Sequence, residues 1–374
     1  MRLALVTPGF SATADHWAIP ALQTLAATLA HSLDVTVFSQ RYPAKGVYQF
    51  DNLTHFALGG GEWRGVYSPW VWGQTVQAIV AQHCRAPFDL LHAFWADEAG
   101  LAAILAGAII KKPVIVSIGG WELTALPEIG YGAQLFWTKR QLLRYVFRQA
   151  IYVTAGSPYQ FDLCQPHIAA AKLKLAPLGV DAERFAPSVE TSLSQQPLTL
   201  VQAASLVPVK NQALLLQVFS LLKKRLPQLR LQLIGSGPLQ ADLQALAEKL
   251  HVADQVVWQQ QVAYPDMPAH YQGGQVYLQT SHHESQGMAV LEAMACGLPA
   301  LGTPVGVVRD EACLPATTSS DLLAQQVLAL FDDGLQYHHF RQAARQTVLD
   351  KYSLPVTSNT FLKLYQQTVE TNSK

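Results

Sequence analysis

Short β-branched apolar runs alternate with amphipathic stretches along the first half of the chain. The strand-like runs are LALVT, DVTVFS, DLLHAF, PVIVSI and IYVTAG, and helix-like stretches such as PALQTLAATLAHSL and FWTKRQLLRYVFRQA lie between them. Continuous apolar runs of this length, separated by helices, are typical of parallel strands that are buried on both faces. We therefore predict a parallel sheet covered by helices on both sides.

The second half repeats the alternation, with strand-like runs LTLVQAAS, LRLQLIG, QVVWQQQ and QVYLQTS. A stretch rich in Pro and Ser, PLGVDAERFAPSVETSLSQQP, separates the halves and is typical of a linker. A chain of 374 residues also exceeds the usual size of one hydrophobic core. The pattern predicts an α/β protein with two domains, 1–180 and 181–354, and ligands outside the carboxyl ends of the strands.

Composition excludes some classes of function. The 26 basic and 26 acidic residues give a formal net charge of zero. The sequence has no long basic run of the kind that would indicate nucleic-acid binding. Four cysteines lie far apart, which favours free thiols in a reducing, cytoplasmic setting. The most apolar stretch is divided by Lys111, Lys112 and Pro113 and is too short to span a bilayer. We expect no transmembrane segment, and peripheral contact with the inner membrane face stays open.

The segment SHHESQGMAVLEAMACGLPALGTPVG carries candidate chemistry. Gly287 precedes a predicted short helix, whose first amides, around Gly287 and Met288, suit a phosphate group. Glu292 lies inside this helix among apolar neighbours, where an unpartnered carboxylate is costly. Its partner is either a protein group or the hydroxyl groups of a ligand.

A glycine pair, Gly235 and Gly237, follows a predicted strand and opens a predicted helix. Gln240 stands where a dinucleotide-binding fingerprint requires its third glycine, so that fingerprint is absent. Two interpretations remain, a tight strand-to-helix turn and a loop that lines a donor site.

Glu284 and Glu292, separated by seven residues and continued by LEAMACGLP and GTPVG, closely resemble the motif of glycosyltransferase family 4. These are retaining enzymes of the GT-B fold. The resemblance implies two Rossmann-like domains facing across a cleft, with about 355–374 crossing back to the first domain. It also implies an acceptor side in 1–180 and a donor site in 181–354.

The resemblance assigns roles at the donor site. Glu292 is expected to bind the ribose of a nucleotide sugar, Glu284 to lie at the donor sugar, and Gly287 and Met288 to hold the diphosphate. The segment ASLVPVKNQALLLQVF resembles one in which an Arg and a Lys clamp the diphosphate; Lys210 matches the Lys, and Ser205 stands at the Arg position. Lysine still binds phosphate as a point charge. The expected donor-binding residues are Glu292, Gly287, Met288, Ser205, Lys210, Gly235 and Gly9.

The acceptor side departs from the family pattern. Gly119, followed by Gly120, stands where many members carry a histidine, and their amides are expected to approach a substrate closely. Glu122 matches an acidic residue of the family, and His92 is the nearest alternative imidazole, with a structural role left open. Further expected acceptor-side residues in the first loop are Asp15 and His16. The aromatic stretch 59–74 either packs the core or faces the acceptor.

The resemblance implies transfer of a sugar from a nucleotide diphosphate sugar to a hydroxyl of a polysaccharide, glycolipid or small molecule, with retention and without a metal or other cofactor. Stabilisation of the leaving diphosphate is expected to be electrostatic. The expected catalytic residues are Glu284, Lys210, His92 and Glu122. The departures at Ser205 and Gly119 leave two alternatives open, a non-catalytic nucleotide-sugar-binding protein and a sugar-nucleotide epimerase.

Overall fold

The computed structural model describes residues 1–13, 16–50, 52–61, 68–188, 193, 197–260 and 262–372. The chain divides into two compact units. The first unit comprises Met1–Gly179 and Leu354–Lys374, and the second comprises Val180–Ser353. The acceptor and donor roles expected of the two halves stay predictions.

The first unit contains, within the described residues, an eight-stranded sheet in the order β3-β4-β2-β1-β5-β6-β7-β8. All neighbouring strands are parallel except β3 and β4, which form an antiparallel edge. The strands are β1 Arg2–Gly9, β2 Asp34–Tyr42, β3 Gly46–Phe50, β4 Leu53–Ala57, β5 Leu90–Phe94, β6 Val114–Ser117, β7 Tyr152–Ala155 and β8 Leu173–Leu175. The helices that connect them are α1 Pro20–Ala30, α2 Ser68–Arg85, α3 Glu98–Ile110, α4 Trp137–Gln149 and α5 Pro158–Cys164.

Side chains of β1 point alternately into two hydrophobic clusters, one on each face of the sheet. Leu3 and Leu5 pack with the leucines of α1, whereas Ala4 and Val6 pack with the alanines of α3. Helices α1 and α3 therefore cover opposite faces, although their strands β1 and β5 are neighbours. The chain thus leaves β1 and β5 in opposite directions, and this switch point opens a crevice at the carboxyl ends of the two strands.

The second unit has a fully parallel five-stranded sheet in the order β11-β10-β9-β12-β13 within the described residues. The strands are β9 Thr199–Ala203, β10 Arg230–Ile234, β11 Val256–Gln259, β12 Val276–Gln279 and β13 Ala300–Gly302. The helices are α6 Gln212–Lys223, α7 Gln240–Lys249, α8 Met267–Gln272, α9 Met288–Ala295, α10 Val308–Glu311, α11 Ser320–Asp332 and α12 Gly334–Thr347, followed by a π-helical turn, Val348–Tyr352. Helices α6 and α9 belong to different hydrophobic clusters on opposite faces of the sheet. Strands β9 and β12 therefore flank a second switch point.

The C-terminal helix, α13 (Leu354–Asn372), returns to the first unit. Phe361 and Tyr365 are fully buried and join the cluster of α1 and β5. The helix thus completes one face of the first sheet, because this face would otherwise expose the apolar side of β5.

Replacing Phe361 by Ala should lower the free energy of unfolding by about 3–5 kcal/mol, since it leaves a cavity in a fully buried cluster. Denaturant unfolding followed by circular dichroism measures the change. Val356, on the same helix, is 38% exposed, and its replacement by Ala is the matched control. Equal effects of the two substitutions would show that α13 does not pack through Phe361.

Candidate functional site

Helix α9 begins at Met288, the position predicted from the sequence. Its N-cap residue, Gly287, has φ +95°, and its carbonyl accepts the amides of Val290 and Leu291. A Cβ on Gly287 would lie 3.4 Å from its nearest neighbour, Gln279 Oε1, which is an ordinary contact. The left-handed backbone, not lack of space, therefore selects glycine here.

Lys210 and Glu284 meet at the switch point of the second unit. The ammonium of Lys210 lies 2.5 Å from Glu284 Oε1, which also accepts the hydroxyl of Ser281 at 2.8 Å. The side chains of Lys210 and Glu284 are 24% and 15% exposed, so solvent reaches the pair. The sequence-predicted cation and carboxylate thus come together although they follow different strands, β9 and β12.

Backbone contacts fix the two loops that carry this ion pair. The amide of His282 donates to the carbonyl of Val209 at 2.8 Å, and the hydroxyl of Thr280 donates to the carbonyl of Lys210 at 3.2 Å. The hydroxyl of Thr303 donates to the carbonyl of Ser281 at 2.7 Å. The loops after β9, β12 and β13 are therefore joined at one edge of the sheet.

Glu292 is only 7% exposed and has protein partners. The hydroxyl of Tyr271 donates to its Oε2 at 3.0 Å, and the hydroxyl of Tyr264 also bonds to the carboxyl group. Burial raises the pKa of Glu292 to about 7, and the two tyrosine hydrogen bonds oppose this rise. A protein partner, one of the two alternatives that the sequence left open, is thus present.

Tyr277, a buried residue of β12, contacts the end of β9. Its hydroxyl donates to the carbonyl of Ala203 at the end of β9, at 3.1 Å. Burial raises the pKa of Tyr277, and the charges of Glu284 and Glu292 raise it further. Both carboxyl groups thus disfavour ionisation of the same buried hydroxyl.

Gly235 and Gly237 allow two loops to pass closely. A Cβ on Gly235, whose φ is +136°, would lie 2.2 Å from the carbonyl oxygen of Ala204, and one on Gly237 would lie 2.4 Å from that of Leu206. This packing favours the tight-turn interpretation of the glycine pair. Ser205 is exposed, and its carbonyl accepts the side-chain amide of Gln212 at 3.0 Å.

His92 has a structural position that differs from the expected catalytic one. Its ring is fully buried, with Nδ1 2.7 Å from the Tyr365 hydroxyl and Nε2 2.8 Å from the Ser117 hydroxyl. Burial lowers the pKa of His92 to about 3, so the ring is neutral. Both ring nitrogens are engaged within the protein, and a direct role in catalysis is therefore not supported.

Glu122 is a fully buried carboxyl group that binds backbone amides. Oε1 accepts the amides of Ala96 at 3.0 Å and Gly119 at 2.8 Å, and Oε2 accepts that of Gly120 at 2.6 Å. Burial raises the pKa of Glu122, and neighbouring Asp97 raises it further. A buried carboxyl group needs such donors, so Glu122 engages the two glycine amides that were expected to face a substrate.

The remaining expected residues lie near the end of β1. Gly9 is its last residue, and a Cβ there would lie 3.6 Å from Tyr42 Cβ, so a simple turn or strand role accounts for it. His16 is exposed, with Nε2 2.9 Å from the Tyr42 hydroxyl. Asp15 lies outside the described residues, as does the middle of the aromatic stretch, 62–67.

Two further findings concern metals and membranes. Among the described residues, no group of three or more His, Cys, Asp or Glu side chains is placed to hold a metal ion. Metal independence stays a prediction. No helix in the described part of the chain combines the length and the hydropathy needed to cross a bilayer.

Residues 187–347, which include Lys210, Glu284, Gly287 and Glu292, match the family model described as Glycosyl transferases group 1. Most of the second unit therefore resembles this family. The resemblance predicted from the Glu284–Glu292 motif is thereby confirmed, and the ion pair, α9 and the buried glutamate all lie inside the matched region.

The chain is similar to relatives from two different bacteria. It is 30% identical, over 228 residues, to GDP-mannose-dependent alpha-(1-6)-phosphatidylinositol monomannoside mannosyltransferase of Mycolicibacterium smegmatis, a match that covers 52% of this chain and 59% of that protein. The match thus spans less than two thirds of the relative. It is 26% identical, over 291 residues, to N-acetyl-alpha-D-glucosaminyl L-malate synthase of Bacillus anthracis, covering 74% and 73% of the two chains.

The fold is similar to that of sucrose-phosphate synthase from Thermosynechococcus elongatus, with a TM-score of 0.77 and 16% identity. The similarity covers 98% of this chain and 99% of that chain. The predicted fold class, two Rossmann-like domains of the GT-B type with a C-terminal helix returning to the first, is confirmed.

Replacing Glu292 by Gln should flatten the pH dependence of stability. Between pH 4.5 and 7 the folded protein holds a proton that the unfolded chain releases, so this group's contribution to stability falls as pH rises through that window. Relative to the variant, the wild type should lose about 2.5 kcal/mol of unfolding free energy from pH 5 to pH 8, as measured by urea denaturation. Exposed Glu248, replaced by Gln, is the control, and a constant difference between wild type and Glu292→Gln would contradict the assignment.

Replacing Gly287 by Ala should destabilise the protein by about 1–2 kcal/mol, because the backbone at φ +95° is unfavourable for a residue with a Cβ. Thermal and denaturant unfolding measure the change. Gly73 lies in α2, and a Cβ there would meet nothing within 4 Å, so Gly73→Ala should instead stabilise the helix by about 0.5–1 kcal/mol. Stabilisation by both substitutions would argue against the left-handed N-cap.

Proposed function

We propose that the chain transfers a sugar from a nucleotide diphosphate sugar to a hydroxyl group of an acceptor, with retention at the anomeric carbon. The observation that carries this proposal is the meeting of Lys210 and Glu284, from different βα loops, at a switch point of the second unit. The family match supports the reaction class.

The diphosphate is proposed to bind between Lys210 and the N-terminus of α9. Lys210 provides a partly exposed ammonium, and α9 provides backbone amides with a partial positive charge at Gly287 and Met288. Negative charge grows on the diphosphate as the glycosidic bond breaks, so these fixed positive groups stabilise the transition state more than the ground state.

Glu292 is proposed to accept hydrogen bonds from the ribose hydroxyls. A carboxylate offers about four lone-pair sites, so the two tyrosine donors, Tyr264 and Tyr271, leave capacity for a ligand. The tyrosines also fix the carboxyl group in one orientation. Glu284 is proposed to turn from Lys210 toward a hydroxyl of the donor sugar once phosphate oxygens engage the lysine.

The acceptor is proposed to be a carbohydrate, a lipid-linked glycoside or a small hydroxylated molecule. The name of one relative includes a phosphatidylinositol monomannoside, and the other is named N-acetyl-alpha-D-glucosaminyl L-malate synthase. These names support both a lipid and a small-molecule class of acceptor.

We further propose a cytoplasmic protein that contacts the inner membrane face through α4. This helix exposes Trp137 to 65% together with Arg140, Arg144 and Arg148. The segment 129–161 holds four Lys or Arg residues and no Asp or Glu. Arginine beside exposed tryptophan is the composition that favours an anionic lipid interface.

The transfer reaction is tested by incubating the protein with UDP-, GDP- and ADP-linked sugars, together with phosphatidylinositol vesicles or L-malate. The expected result is nucleotide release that depends on one acceptor, with a glycosylated product by mass spectrometry. Two outcomes would contradict the proposal. Interconversion of the donor without an acceptor would indicate an epimerase, and nucleotide binding without any release would indicate a non-catalytic binding protein.

Lys210→Ala should weaken binding of the nucleoside diphosphate about 10- to 100-fold, because it removes one charge-assisted contact with phosphate. Isothermal titration with UDP, GDP and ADP measures the affinity. Lys223 forms a comparable ion pair with Asp254, 2.9 Å long, at the other end of α6, and Lys223→Ala should bind like the wild type. Unchanged affinity in Lys210→Ala would remove this lysine from the diphosphate site.

A further inference from the structure

Trp95, the residue after β5, has an unusual backbone conformation. Its φ is +74°, in the left-handed region that bulky residues rarely adopt. A strained backbone persists only where the surroundings hold it, and such positions concentrate at functional sites.

Hydrogen bonds on both sides of Trp95 hold this conformation. Its amide donates to the carbonyl of Ser117 at 2.9 Å, and its carbonyl accepts the amide of Gly100 at 3.0 Å. The next amide, that of Ala96, donates to Glu122 Oε1 at 3.0 Å. The buried carboxyl group of Glu122 thus holds the loop after β5 to the loop after β6.

The indole of Trp95 lies on the backbone of Gly119. A Cβ on Gly119 would lie 2.0 Å from both Cδ1 and Nε1 of the indole, so the ring fits because this residue has no side chain. The amide of Gly119 is bound by the same carboxyl group, Glu122, at 2.8 Å. Trp95 is half-buried, and it also packs against the hydrophobic cluster of α1, β5 and α13.

The position of Trp95 coincides with the switch point of the first sheet. Strands β1 and β5 are neighbours, and α1 and α3 cover opposite faces, so the loops after these strands diverge. Ligands of open parallel sheets bind in the crevice at this point. Trp95 and the loop that carries His16 follow the two strands that border the crevice.

We propose that Trp95 is a specificity-determining residue that stacks on a ring of the acceptor, a pyranose or a cyclitol, and that Glu122 is its positioning residue. The π face of an aromatic ring carries negative charge, which attracts the C–H groups on the face of such a ring. Tryptophan offers the largest such surface with few rotatable bonds. This inference rests on the proposed sugar transfer, because it assigns the acceptor side of that reaction.

Packing alone does not account for this arrangement. An indole needed only to fill the core gains nothing from a left-handed backbone or from partial exposure. Here the left-handed backbone, the glycine beneath the ring and the amide-binding carboxyl group of Glu122 together hold one half-buried tryptophan at the crevice.

The test is saturation-transfer NMR on the full chain with methyl α-D-mannopyranoside and myo-inositol as probes and glycerol as the acyclic comparison. The wild type should saturate the C–H protons of both rings and not those of glycerol. Trp95→Ala should weaken ring binding about fivefold to tenfold, as expected for the loss of one aromatic contact, and Trp95→Phe should retain most of it. Trp258→Ala, at a half-buried tryptophan in β11 of the second unit, is the matched control and should bind like the wild type.

Absence of ring signals from the wild type, or equal signals from Trp95→Ala, would overturn the proposal. Thermal unfolding of each variant checks the fold, and Trp95→Phe keeps the test valid if the Ala variant is unstable. Stabilisation by UDP, GDP or ADP should be the same in all Trp95 variants. Loss of nucleotide stabilisation in the wild type would instead refute the proposed donor site and leave the ring result to be judged separately.

Discussion

Parallel strand pairing is the constraint on which the rest of this structure depends. Two parallel neighbours cannot be joined by a hairpin, so each connection crosses a face of the sheet, usually as a helix. The carboxyl ends of the parallel strands then lie at one edge of each sheet, and the loops that leave them become neighbours. Lys210 and Glu284 meet for this reason in the second unit, and the loops of Trp95 and Gly119 meet for the same reason in the first.

The acidic groups at these edges are stabilised in two different ways. Glu122 and Glu292 are buried and are satisfied by backbone amides and by tyrosine hydroxyls, respectively. These neutral donors hold the groups in place without the desolvation cost that a second buried charge would add. Glu284 is partly exposed and pairs with the cation of Lys210. The first arrangement suits rigid support, and the second suits a group whose partner changes when a ligand binds.

Much of the fold was predictable because its signals are local. The β-branched runs correspond to β1, β2, β5 to β7 and β9 to β12, and the start of α9 at Met288 follows from the glycine before it. The edge pair of β3 and β4 was not predicted, since neither strand has a long apolar run. Lys210, Glu284 and Glu292 were found through their motifs, and the structure brings the first two into contact.

The partners of the buried acids were not predictable from the sequence. Tyr264 and Tyr271 come from the segment between β11 and β12, and no spacing connects them to Glu292. The amide of Ala96 donates to Glu122 from another βα loop. Because every residue except proline has a backbone amide, the sequence does not show which of them binds the carboxyl group. The hydrogen-bond partners of His92 were not predictable on the same ground, because Tyr365 and Ser117 lie 273 and 25 residues away.

The ion pair of Lys210 and Glu284 also bears on which anions this protein admits. The Glu284 carboxylate already neutralises the Lys210 ammonium. An inorganic phosphate or sulfate ion would therefore have to displace this carboxylate, and it would gain only the contact with Lys210. The proposed nucleotide sugar can compensate for that displacement through contacts along its whole length, including those proposed for its ribose at Glu292 and for its sugar at Glu284. An internal carboxylate can thus act as a competitor that sets a minimum size for the ligand, protecting the site from the small anions that are abundant in any cell.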